Sequence, residues 1–452
     1  MSEKFRNLDR QTPYMMPPSV NDWLPEGHLA RFIVEIVERL DLSPIRNAYS
    51  GRGLYAHHPQ MLLALLFYGY ATGVFSSRKL ERATYDSVAF RYIAGNEHPD
   101  HDTIAAFRKR FLPELSALFT QILQIAHEMK VLKLGSISLD GTKIQANASK
   151  HRALSWGHAC KIEEQLKTEV EELLRQAESA DKNDLPDGYD IPEELIRRAD
   201  RLAAIAAAKA KMEEWAAERH TQEEAEYKRK QEARKAKEKE TGQKARGREP
   251  KAPEAGVRNR DQVNLTDEES RIMPESGGGF EQNYNAQASV DVDSLLVVEQ
   301  HITQETNDKE QLIPALEILN TLPKELGKVE TVLADAGYFS AKNVEFSHEH
   351  GYEPYIAPGR EGHNPKLQER FEEPPELPDG ATAVDQMKHK LKTPAGRAIY
   401  AKRKSTVEPV FGVIKAVMGF RQFLLRGLES VRGEWTLVCM AWNLKRLHVL
   451  TK

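Results

Sequence analysis

Cysteine is nearly absent from this 452-residue chain. Its two copies, Cys160 and Cys439, lie far apart, which excludes both a disulfide framework and a paired-cysteine metal knuckle. A reduced, cytoplasmic setting is the expectation. Long apolar runs are missing too: none approaches the ~18 residues of a membrane-spanning helix. The opening stretch MSEKFRNLDRQTPYMMPPSV lacks the charged-then-apolar pattern of an export signal, so neither export nor a membrane partner is expected. A net positive charge is also lacking, since the formal total is −4. That total conceals a strong segregation. Residues 1–135 carry 16 basic and 14 acidic side chains, and residues 136–260 come to +1. Residues 261–387 carry 8 basic against 26 acidic, while residues 388–452 carry 14 basic against 3 acidic. A terminal block at +11 can neutralise several phosphates, unless it merely pairs with the acidic block before it.

What is present divides the chain by pattern. Residues 1–130 read as an all-α N-terminal domain. HLARFIVEIVERL has apolar residues at helical spacing, and HPQMLLALLFYGYATG suits a buried helix. Pro99–Phe111 reads as turn, cap and helix, with Asp102 or Thr103 as cap and Arg108, Lys109 and Arg110 following. Such a helix either docks on DNA in helix-turn-helix style or is an ordinary amphipathic helix with a solvated basic face. Residues 131–150 (LGSISLDGTKIQANAS) are β-type. Residues 151–260 switch to Glu, Lys, Arg and Ala, broken at DKNDLPDGYDIP, which predicts a charged helical hairpin ending in a flexible basic segment, KRKQEARKAKEKETGQKARGREPK. That arm contacts DNA, forms a dimer, or is simply a solvated charged helix.

From 261 to 452 the β-type pattern resumes. FEQNYNAQASVDVDSLLVVEQHIT predicts a hairpin turning near Asp291–Ser294, followed by helix, strand (KVETVLADAG), helix and short strand (YEPYIAPG). A Pro- and acid-rich loop is expected over 359–393, then basic helices to the end. Without the charged insertion, this order predicts an α/β ribonuclease-H-like domain, helices flanking a mixed sheet.

Three acids stand out on these elements. Asp140 in SISLDGTKI and Asp335 in TVLADAGYF follow apolar strand-like runs, and Glu408 lies in YAKRKSTVEPVFGVIK. An aspartate at a strand end is commonly a turn former or cap. Two of them on strands that this layout brings together, with a helical glutamate downstream, form a carboxylate set able to hold two divalent cations about 3.5–4 Å apart for phosphodiester chemistry. Around Glu408, Arg403 and Lys415 are placed to clamp phosphates, and Tyr400 to stack on or hydrogen-bond to DNA; the bland reading is charge spacing on a solvated helix.

DGTKI, the YNAQASVD hairpin, VLADAGY, and Tyr400–Arg403–Glu408–Lys415 with VEPVFGVIK resemble the DDE transposases of bacterial insertion sequences, in the branch with an InsH-like helical N-terminal domain. The likeness spans nearly the whole chain. One departure is an Arg-to-Glu gap one residue longer than the commonest signature. The resemblance implies a DNA transposase that binds terminal inverted repeats of its element and performs metal-dependent cleavage and strand transfer. It implies Asp140, Asp335 and Glu408 as ligands of two Mg2+ ions, with Mn2+ as a substitute. Double-stranded DNA at transposon ends and target would be the partner, bound by a homodimer in a synaptic complex, at the bacterial nucleoid. The alternatives are a ribonuclease-H-like nuclease or resolvase, and an inactive relic acting as a DNA-binding repressor.

Overall fold

The computed structural model describes residues 19–49, 56–180, 191–241, 249–275, 277–359, 374, 376–377 and 380–452. The chain divides into two compact units, Met1–Gln145 with Tyr284–Lys452, and Ala146–Asn283.

The first unit opens with helices α1 (Leu29–Arg39), α2 (Ser43–Asn47), α3 (Pro59–Thr72), α4 (Ser77–Asp86), α5 (Val88–Ile93), α6 (His101–Arg110) and α7 (Leu115–Glu128). Polar side chains set several of their starts. His28 accepts from the Ala30 amide at the head of α1, and Asp100 from the Thr103 amide at the head of α6. The α6 cap is therefore Asp100, ahead of the expected Asp102 or Thr103, because its extended backbone lets the carboxylate turn back onto the first free N–H. Helix α3 is apolar on every side, and all ten residues from Leu62 to Ala71 are buried.

The strands that follow are β1 (Leu134–Gln145), and in the second unit β2 (Ala153–Ser155), β3 (Gln262–Asn264) and β4 (Arg271–Pro274); then β5 (Phe280–Asp291), β6 (Val297–Thr303), β7 (Gly327–Ala334) and β8 (Glu353–Ile356). The first unit's sheet has the order β6-β5-β1-β7-β8. β1 runs parallel to β7 and β7 parallel to β8, while β5 and β6 form the antiparallel hairpin turning after Asp291. The sheet is mixed, with β1 at its centre. Helices α10 (Leu312–Asn320) and α11 (Ala341–Glu349) connect the later strands.

Helices α12 (Ala383–Lys392), α13 (Pro394–Ala401), α14 (Val407–Gly412) and α15 (Leu428–Leu450) complete the unit. Residues 383–392, expected within a long loop, are thus helical: Thr382 caps α12 through the Asp385 amide, and Met387 and Leu391 bury one face. The rest of that expected loop lies largely outside the described residues. Helix α15 is the spine of the unit. Asn443 accepts from the Val297 amide and donates to the Val297 carbonyl, both at 2.8 Å, which satisfies the open edge of β6. Trp435 and Trp442 donate their indole N–H groups to the carbonyls of Gln287 and Leu295. Glu434, fully buried, accepts from Tyr70 Oη of α3 at 2.7 Å and from the amides of Leu424 and Leu425. Arg108 of α6 donates to that same Tyr70 oxygen at 3.0 Å. A buried acid, phenol and guanidinium thereby tie the first helices to the last one.

The second unit is built on α8 (Trp156–Ala180) and α9 (Ile191–Thr241). Leu166, Ile205, Ala208 and Met212 form its core with Leu154 and Val263 of the small antiparallel pair β2–β3. Arg219 grips both oxygens of Asp261 at 2.9 and 2.8 Å. α9 continues to Thr241, so residues 228–241 of the expected flexible segment are helical. Good helix formers and the ion pairs Lys228–Glu224 and Lys230–Glu226 account for this. The break at DKNDLPDGYD and most of the remaining basic segment lie outside the described residues. Among the described residues, no helix is long and apolar enough to cross a membrane.

Candidate active site

Strand register decides where the two aspartates stand. Leu139 of β1 pairs with Ala334 of β7 in a parallel ladder. Asp140 and Asp335 are the next residue on each strand, which sets them side by side. Beyond this point the chains differ. β1 runs on to Gln145, so Asp140 is within a strand instead of at its end, whereas β7 stops and Asp335 caps a short turn by accepting from the Gly337 amide at 2.8 Å. Asp140 accepts from the Gly141 amide at 2.8 Å.

Burial pushes the Asp140 carboxyl up to about 7, and the nearby charges of Asp335 and Asp308 add to the rise against the Gly141 amide and Arg403. Asp308 was not singled out by the sequence reading. It sits on the β6–α10 loop and accepts from the side-chain amides of Asn285 and Gln287, both at 2.7 Å. Those residues alternate along β5 within a stretch that is buried from Gln282 to Asp291. Polar groups at alternate positions of a fully buried strand are the one sequence signal that marks this corner.

The third acid arrives through Arg403. A 3-10 turn over Lys402–Ser405 precedes α14, and Glu408 stands in the first turn of that helix. Pro409 follows in the same turn, where a missing N–H costs no helical bond. Arg403 donates to Glu408 Oε1 at 2.8 Å and faces Asp140 Oδ2 at 3.4 Å, with its own side chain only 12% exposed. Burial draws its basicity down, but Tyr400, Asp140, Glu408 and Asp335 outweigh that and the net shift is upward. Tyr400 is half-buried at the end of α13, beside this guanidinium.

Lys415 is tied to the central strand. Its Nζ donates to the Lys143 carbonyl of β1 at 2.7 Å. The residue lies on a π turn, Val413–Val417, that interrupts the helical path after Glu408. Of the three cations expected on α6, Arg108 is buried with its guanidinium on Tyr70 and the Phe75 carbonyl, so it faces the core and not a phosphate. Lys109 and Arg110 are exposed and border a groove of about 800 Å³ that also includes His301 and Arg432. Arg110 is engaged there, bonded to the Ala48 carbonyl and lying over Tyr49.

The donor set suits a hard divalent cation, since it consists of carboxylate oxygens and a buried amide oxygen, Asn285 Oδ1, that has no hydrogen-bond partner. Arg403 currently supplies the positive charge. Among the described residues, no three acidic, histidine or cysteine side chains stand close enough to share one ion.

No curated protein and no solved structure matches the chain. Two family models do. The transposase DDE domain matches residues 251–444, a span that holds Asp335, Glu408, Arg403 and Asp308. The transposase domain DUF772 matches residues 18–110, which includes α6. Together they cover more than half of the sequence and describe one kind of protein: the chain belongs to the DDE transposases of insertion sequences, whose substrate is DNA and whose chemistry uses divalent metals.

Proposed function

We propose that this transposase binds the terminal inverted repeats of its element and carries out both cleavage and strand transfer in one ribonuclease-H-like site. The sheet order supports that fold, with the hairpin strands on one side of β1 and the parallel strands on the other. Asp140, Asp335 and Glu408 are the residues that would hold the metal, two Mg2+ ions with Mn2+ as a substitute. When bound, the ions ease deprotonation of the attacking water and neutralise charge on the phosphate. The single observation that carries this reading is the parallel register setting Asp140 beside Asp335, with Arg403 linking Asp140 to Glu408.

The protein's own groups divide the work. Asp140 and Asp335 are fixed by the sheet. Glu408 is on a helix and joins them once Arg403 gives way. With a cation held by those carboxylates, Arg403 would be free to meet a phosphate beside the scissile bond, with Tyr400 next to it. Water attacks phosphorus, the P–O3′ bond breaks, and the departing oxygen takes up a proton to become a 3′-hydroxyl. That hydroxyl attacks a target phosphate in the same in-line manner, the target's own P–O3′ bond breaks and its O3′ takes up a proton, and no covalent protein–DNA bond forms. Lys109 and the basic helices after residue 388 contact the duplex, the charged α8–α9 arm serves DNA or a second protomer, and a homodimer joins the two ends in the cytoplasm.

The test is an end-containing duplex incubated with Mg2+, followed by mapping of the broken strand and its termini. Asp140→Ala, Asp335→Ala and Glu408→Gln should abolish cutting while sparing end binding. Full cutting by any one of them removes that residue from the site. Cutting of branched DNA without regard to end sequence would favour a resolvase instead.

A further inference from the structure

Asp308 takes no part in the scheme above, yet its surroundings are built with care. The amide orientation of Gln287 is fixed from behind, because its Oε1 accepts from Tyr338 Oη and only Nε2 is left to face the carboxylate. Asn285 donates to Asp308 Oδ1 at 2.7 Å and to the Glu305 carbonyl at 3.2 Å. From β1, Lys143 donates to the Thr306 carbonyl at 2.8 Å. Two strands of the sheet thus anchor the loop that carries Asp308.

The anchored carboxylate is aimed at the aspartate pair. A Cβ added to Gly141, the residue after Asp140, would collide with Gln287 Nε2 and lie 2.6 Å from Asp308 Oδ1. A Cβ added to Gly337, two residues after Asp335, would lie 2.9 Å from Asp335 Oδ1 and 3.7 Å from Asp308 Oδ2. Asp308 therefore looks onto both catalytic strands at once. A second, separate feature marks the same spot. Asn285 is fully buried, its Oδ1 has no donor, and that oxygen lies 3.0 Å from the same Gly141 position. A buried acceptor without a donor, beside a carboxylate, calls for a ligand that donates hydrogen bonds. Waters of a hydrated divalent cation do so.

The geometry points to Asp308 as a fourth carboxylate of the active site. It is a positioning residue that, together with Asn285 Oδ1, orders the water shell of the cation held by Asp140 and Asp335. This inference rests on the metal-site reading above. The competing role is purely structural, with Asp308 only an acceptor that ties β5 to its loop. Asp308→Asn separates the two. The new amide oxygen still accepts from Asn285 and Gln287, so the tie survives while the charge is lost.

The experiment is Mn2+ binding to the full-length, DNA-free protein, read by the electron paramagnetic resonance signal of free Mn2+ and paired with thermal melting in chelator. Asp308→Asn should weaken Mn2+ binding about tenfold or more and leave the metal-free melting temperature in place. Asp140→Asn should remove the binding altogether. Wild-type affinity in Asp308→Asn, with binding lost in Asp140→Asn, overturns the role of Asp308 and leaves the site standing. Wild-type affinity in both overturns the site itself. Should Asp308→Asn not fold, Asn285→Ala decides: it deletes the orphaned acceptor and one tether, and severalfold weaker Mn2+ binding supports the inference while unchanged binding sinks it.

Discussion

Replacing Asp140 by Asn should stabilise the metal-free protein while destroying its activity. In the folded chain the Asp140 carboxyl titrates at about 7, against an ordinary aspartate value of 3.8. The folded state therefore holds this proton more tightly than the unfolded state. Stability must fall as pH climbs from about 4 to about 7, then level off. A shift of about 3 units at about 1.4 kcal/mol each caps the cost near 4 kcal/mol. An effective dielectric of about 20 and loss of the Arg403 contact reduce the expected net gain to about 1–2 kcal/mol at pH 8. The Asn side-chain oxygen keeps the bond from the Gly141 amide. At about 2–4 °C per kcal/mol, the variant should melt about 2–8 °C above wild type at pH 8, with the gap shrinking towards pH 5. Millimolar Mg2+ should raise the wild type and leave the variant unmoved. A gap that does not change with pH, or a variant that melts lower throughout, refutes the reasoning.

Arg403→Gln removes the guanidinium that stands between Asp140 and Glu408. Mn2+ should then bind the DNA-free protein more tightly by calorimetry, while end cleavage slows about tenfold or more; weaker metal binding would show that Arg403 is no stand-in for the cation. Arg108→Met strips the cation from the buried Tyr70–Glu434 group and should cost about 3–5 kcal/mol by denaturant titration, whereas a loss under about 1 kcal/mol would return Arg108 to the surface. Lys109→Ala should leave stability within about 0.5 kcal/mol yet lower the salt dependence of end binding by about one unit of slope; an unchanged slope removes it from the interface. Gly141→Ala drives a methyl group into Asp308 and Gln287, and cleavage should fall at least about tenfold with a stability loss of about 1–3 kcal/mol; wild-type cleavage would argue against the close approach.

The sequence carried the acids better than their neighbours. Asp140 and Asp335 were legible because apolar runs before them announce strands, and a parallel ladder sets equivalent positions together. Glu408 was legible from its cationic surroundings. Asp308 was not, since TQETNDKEQ looks like any polar loop and its meaning depends on β5 side chains 21 and 23 residues earlier. Arg108 was misread because what buries it, Tyr70 and α15, comes from elsewhere in the chain. The π turn that carries Lys415 was not legible, because such a turn leaves no mark in a helical pattern. Glu434 lies in a helix buried on nearly every side, where no periodicity separates an inward glutamate from a solvated one. The helical reach of α9 past residue 228 was hidden by composition, which suits a charged helix and a flexible tail equally.

The most direct test is anomalous diffraction from Mn2+ in a crystal of the protein bound to its transposon end. Mn2+ peaks are expected flanked by the carboxylates of Asp140, Asp335 and Glu408, with Arg403 drawn off them onto a phosphate. Peaks elsewhere, or Arg403 still bridging Asp140 and Glu408 beside the DNA, would contradict it.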